Sequence, residues 1–87
     1  MMTQPLAEQL TFDDPATYQI RVQGRLKASW SDRLEGMMIS VAASDGGPFV
    51  TTLEGELLDQ AALAGVLNTL YELHLPVLEV KCLCAVR

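Results

Sequence analysis

The sequence predicts an α+β fold: a four-stranded sheet, mixed or antiparallel, with one long helix on one face and a short helical turn after the first strand. Three observations carry this. Residues 18–27 alternate apolar and polar with period two, which marks a half-buried strand. Two further alternating runs flank Ser44-Asp45-Gly46-Gly47-Pro48, and the Asp-Gly step marks a hairpin. Residues 59–73 carry apolar side chains at helical spacing behind a capping aspartate.

Residues 1–16 are polar, contain Pro5 and Pro15 and lack periodicity, so they are expected to form a loose tail with a turn at Asp13-Asp14-Pro15. Residues 17–87 are expected to form a single domain. In the first strand, Tyr18, Ile20, Val22 and Leu26 face one way, with Gly24 in register, and Gln19, Arg21, Gln23, Arg25 and Lys27 the other. From Ala28 to Gly36 the alternation breaks. Ser29 and Asp32 are spaced as a loose cap, and Trp30 and Leu34 share a face of one or two helical turns.

Met37 to Ala43 forms the second strand, with Met37, Ile39 and Val41 on one side; Phe49 to Leu57 forms the third, with Phe49, Thr51, Leu53 and Leu57 on one face. Asp59 caps the helix, Leu58 and Leu63 are placed for a hydrophobic staple, and Leu63, Val66, Leu67, Leu70 and His74 make the apolar stripe. Leu75-Pro76 ends it, and Val77 to Ala85 is the last strand, with Leu78, Val80, Cys82 and Cys84 on one face. A ferredoxin-like βαββαβ sheet fits this order, but its first crossover must pass over a strand. Only Ala28 to Gly36 is free to do so, against the dozen or so residues such crossovers usually need. A three-stranded meander followed by helix and strand fits equally well.

Composition narrows the function classes. Half of the 87 residues are hydrophobic, and the net charge of −5 with a pI of about 4.5 argues against non-specific binding to nucleic acid or anionic lipid. The first eight residues have no basic region or apolar stretch, so no signal peptide is expected, and no apolar run is long enough to span a bilayer. A cytoplasmic location is the expectation, and two cysteines without a disulfide framework suit a reducing compartment.

Two segments carry a resemblance. The first is Leu26-x-x-x-Trp30-Ser31-Asp32 with Glu35-Gly36. The second is Leu53-x-Gly55-x-Leu57-x-Asp59-Gln60-Ala61-Ala62-Leu63-x-Gly65-x-Leu67, continuing to Leu73-x-Leu75-Pro76-x-Leu78-x-Val80. On these the chain resembles a family of short bacterial hypothetical proteins with no established activity. The family commonly has His where Ala64 stands and Gly where His74 stands, so any function of that histidine would be absent here.

Each candidate for chemistry has a plain structural account beside it. His74 could be an acid, base or metal ligand. It also sits where a helix C-terminus often needs positive φ, which His tolerates better than most residues. Cys82 and Cys84, i and i+2 on a strand, would point the same way with Cα atoms ~6.5–7 Å apart, at the limit for a disulfide. With His74 they supply three of the four ligands zinc usually takes, so no metal site is expected within one chain; two small buried strand residues are the alternative.

Trp30, Asp32 and Arg33 could line a ligand pocket beside the helix, or Trp30 could close the open end of a small core. Gly65, with Ala61 and Ala62, could permit close helix packing. Ser-His-Asp catalysis lacks a nucleophile elbow, and no phosphate-binding glycine motif occurs, so no catalytic residues and no cofactor are assigned.

One helix covers one side of a sheet. The other side is expected to carry Arg21 and Arg25, Met38, Val50 and Glu54, and Val77, Glu79 and Leu83, a half-apolar surface suited to protein contact. Arg21 and Arg25 are placed to pair with Glu54 and Glu79. The reading is a non-enzymatic interaction module that forms a homo-oligomer, a dimer, through this face.

Overall fold

A computed structural model describes residues 15–85. Residues 1–14 of the tail expected over 1–16, with the turn residues Asp13 and Asp14, lie outside that range. The elements are β1 (Ala16–Gln23), a 3-10 helix (Ala28–Leu34), β2 (Met38–Ala43), β3 (Phe49–Leu57), α1 (Gln60–Glu72) and β4 (Val77–Ala85). Ala16, expected in the tail, is instead fully buried strand, paired with Leu57 on one side and Ala85 on the other.

β1 stops at Gln23 instead of running to Lys27. Gly24 takes φ +115°, a conformation open to glycine and strained for other residues. Its N–H donates to the Phe49 carbonyl at 2.7 Å, and its carbonyl accepts the buried Thr51 hydroxyl at 2.6 Å. The chain therefore leaves the sheet early. The 3-10 helix has Lys27 at its N-terminus with no side-chain cap, so Ser29 does not cap it. It ends in two left-handed residues, Glu35 (φ 59°) and Gly36 (φ 73°). The Ser31 hydroxyl closes this turn on the Met37 carbonyl at 2.8 Å. Leu34 is fully buried and Trp30 packs half-buried against the core.

The sheet is antiparallel with strand order β2-β3-β1-β4. β3 lies between β1 and β2, so a three-stranded meander does not describe it. Each helical connection skips one strand. The first can do so because the early end of β1 lengthens the link to Gly24–Met37, past the dozen or so residues a crossover needs.

The core lies between the sheet and the two helical segments. Tyr18, Ile20 and Val22 of β1 meet Leu53 and Leu57 of β3, Leu34 and Met37 of the first link, and Val66 and Leu70 of α1. Each such side chain contributes ~1.5–3 kcal/mol on full burial. Gly55 faces this layer, and a Cβ there would sit 3.2 Å from the Met37 Cα, so glycine lets the chain approaching β2 lie close on β3.

Both ends of α1 are built by local chemistry. The Asp59 carboxylate accepts the Ala62 N–H at 2.8 Å, an N-cap. At the other end the Leu75 N–H donates to the Leu70 carbonyl at 3.2 Å and the His74 N–H to the Tyr71 carbonyl at 3.0 Å, the paired bonds of a Schellman turn. That turn needs a left-handed residue between the two donors' helix and the exit, and His74 supplies it at φ 61°. Leu58 stays 71% exposed, so the expected staple with Leu63 buries little of it.

Candidate interaction surface

An α-helix is about 10 Å across and strands lie about 4.8 Å apart, so one helix covers roughly two strands. Here the helical layer covers the central β1 and β3. β4 forms one edge of the sheet, and its side chains on the helix side are left in the open. Val77, Leu78, Val80 and Leu83 are 41–49% exposed, and Cys82 is exposed rather than buried as expected.

The register of β4 also departs from simple alternation. It slips against β1 at two points, between Arg21 and Val22 and between Thr17 and Tyr18. Leu78 and Leu83 fall in these slips and have no directly paired residue on β1. An extra residue in one strand shifts every later position to the other face. Val77 therefore pairs with core-facing Val22 and leaves the open side, and Leu83 sits in a bulge instead of on a regular face. Cys82 pairs with Tyr18 but Cys84 pairs with Thr17, so the two cysteines do not hold same-face register positions.

The open side of the sheet is consequently more polar than the sequence suggests. Arg21 Nη1 contacts Glu79 Oε1 at 3.3 Å, and Lys81 Nζ lies 3.6 Å from Glu79 Oε2. Gln19, not an arginine, donates to Glu54 at 3.3 Å. Arg25 is absent from this side. It lies beyond the end of β1, with its guanidinium 4.7 Å from the centre of the Phe49 ring. Of the expected contact residues, Met38 and Val50 remain as the apolar members, and Met38, opposite Glu54, is largely exposed.

Trp30, Asp32 and Arg33 do come together, with Ser29, around a shallow depression of about 380 Å³. Trp30 and Arg33 also border a second one of about 380 Å³, completed by Thr69 and Glu72 of α1 and by Leu73 just after it. The Arg33 guanidinium lies 5.4 Å from the Trp30 ring centre, so the chain's own cation occupies one face of that ring.

His74 is not brought to Cys82. It precedes β4, and ~16 Å of strand separates Val77 from Cys82. Among the described residues no group of three or more His, Cys, Asp or Glu side chains is placed to share a metal ion.

The distinctive Asp59-Gln60-Ala61-Ala62-Leu63 segment has a structural account. Asp59 caps the helix, and the Gln60 amide donates to the hydroxyl of Tyr18, a core residue of β1. The sequence reading missed this bond. A buried tyrosine needs a partner for its hydroxyl, and a conspicuous glutamine at a helix start was the available signal. Gly65, expected to serve packing, has nothing within 4 Å of where a Cβ would stand and is exposed.

Among the described residues no helix is long and apolar enough to cross a membrane. Comparison with curated proteins and with solved structures gives no match. A family model described as a domain of unknown function, DUF8691, matches residues 17–81, from the start of β1 into β4, and the chain belongs to that family.

Proposed function

We propose that this domain is a small non-enzymatic interaction module that associates with itself through sheet surface left uncovered by its helices. The observation that carries the reading is the set of four part-exposed apolar side chains on the single strand β4, beside a one-sided core. A small domain gains disproportionately from burying such surface against a second copy. The polar residues that looked most like a site support the same reading, because Asp59, Gln60, Ser31 and His74 each serve a cap, a turn or a core hydroxyl. Sedimentation velocity over a concentration series tests it. A reversible dimer by high micromolar protein is expected, and a monomer throughout would sink the reading.

A second reading rests on the paired depressions that share Trp30 and Arg33: a small-ligand site, with the planar ring and the guanidinium as recognition groups. Trp30 is the single tryptophan, so its fluorescence reports any occupant directly. Fluorescence unchanged across a panel of small anionic and aromatic metabolites would count against it.

A further inference from the structure

We infer that the partner on the β4 edge is a second copy of this chain, its β4 paired antiparallel about a two-fold axis through Val80. The inference rests on the self-association reading above and specifies its surface and register. An edge strand presents a free row of N–H and C=O groups, and adding a strand from another molecule satisfies them. The sheet has two edges. β2 is the shorter and has no charged residue, so nothing along it selects a register. β4 is nine residues long and carries Glu79 and Lys81, two positions apart within its regularly paired stretch opposite Tyr18 to Arg21.

Two-fold antiparallel pairing restricts the choices. Each residue directly opposite another stands on the same face, and the axis passes between a residue and its own copy. Centring on Glu79 places two carboxylates opposite each other. Centring on Lys81 does the same to two ammonium groups. Like charges directly opposite are destabilising. Centring on Val80 instead sets Glu79 against the partner's Lys81 and Lys81 against the partner's Glu79, two ion pairs related by symmetry. On the other face it sets Val80 against the partner's Val80, with Cys82 at one end of the regular stretch and Leu78 in the slip beyond the other. Those are among the side chains that α1 leaves exposed.

A lone lysine in an edge strand normally guards against such pairing. Here the nearby glutamate turns the guard into a selector: Lys81 already lies 3.6 Å from its own Glu79, and only one register sets the partner's glutamate opposite it as well. Arg21, held at 3.3 Å from Glu79, keeps that carboxylate on the open side where the partner's lysine would reach it. The two slips in β4 bracket the regular stretch and limit the pairing to the segment around Val80. The product is one continuous sheet running through both copies, with both helices on the same side.

The test uses complementary charge reversals, Lys81→Glu and Glu79→Lys, each checked for native circular dichroism. Each variant alone opposes like charges at both pairs, so its dimer is expected to dissociate about tenfold more readily than the wild type. An equimolar mixture restores both pairs. With one variant labelled with ¹⁵N, native mass spectrometry is expected to find the mixed dimer well above the twofold excess over each homodimer that random mixing gives. A wild-type dimer indifferent to both reversals, or a mixture with no preference for the mixed species, overturns the β4 register while leaving self-association standing. A wild-type monomer at high micromolar concentration overturns both.

Discussion

Arg21 Nη1 and Glu79 Oε1 stand 3.3 Å apart at directly paired positions of β1 and β4, on the side of the sheet that no helix covers among the described residues. Both side chains are substantially exposed, so water and salt screen the pair and its worth to folding is small. Arg21→Ala is expected to lower stability by no more than ~0.5 kcal/mol in urea unfolding. A much larger loss would mean that the pair holds β4 in place and is not simply positioned at its edge.

The helix cap makes a sharper claim. Asp59→Ala removes the acceptor for the Ala62 N–H and should cost ~1 kcal/mol, whereas Asp59→Asn keeps an oxygen in place and should cost little. Paired urea titrations of the two variants check this, and equal losses would mean that the carboxylate acts otherwise than as a cap.

Two glycines are expected to respond oppositely to alanine. At Gly65 a methyl enters open space on an exposed helix, and the helix gains ~0.5–1 kcal/mol. At Gly55 it meets the Met37 backbone at 3.2 Å, and overpacking should cost at least ~1 kcal/mol. Thermal unfolding of both variants gives the two signs, and a stabilised Gly55→Ala would show that the contact between β3 and the start of β2 is loose.

His74 closes the Schellman turn at φ 61°, where a Cβ is strained and glycine is not. His74→Gly should therefore raise stability by ~1 kcal/mol and leave self-association unchanged. Weakened self-association in this variant would assign the imidazole a role in contact that its position before β4 does not suggest.

What the sequence disclosed, and what it hid, follows from the range of the forces involved. The alternation of Tyr18, Ile20 and Val22, the Asp59 cap, the hairpin glycines and the positive φ of His74 are local, and each is read from neighbouring residues. The side view of β4 was not. Alternation placed Leu78, Val80 and Cys82 under the helix and Val77 and Leu83 on the open side. The edge position of the strand exposes Val80 and Cys82, and two register slips against β1 displace Val77, Leu78 and Leu83. Neither strand order nor a bulge leaves a mark on the spacing of apolar residues within one strand. The end of β1 was misplaced for a related reason: Leu26 remains buried after the backbone has turned at Gly24, so its hydrophobicity extended the pattern beyond the strand.

The residues that suggested chemistry were legible as unusual but not as architecture. Trp30, Asp32 and Arg33 do lie together, though the Arg33 guanidinium already rests on the Trp30 ring. Gln60 stood out in the sequence for a bond to Tyr18, forty-two positions earlier in the chain, that only the folded helix-on-sheet arrangement creates.

Residue-resolved amide exchange by NMR, at two protein concentrations, puts the edge pairing to its most direct trial. Outward-facing amides between Glu79 and Cys82 should become protected as concentration rises, while those of β2 stay unprotected. If exchange along β4 is the same at both concentrations, or the added protection falls on β2, the β4 edge is not where two copies meet.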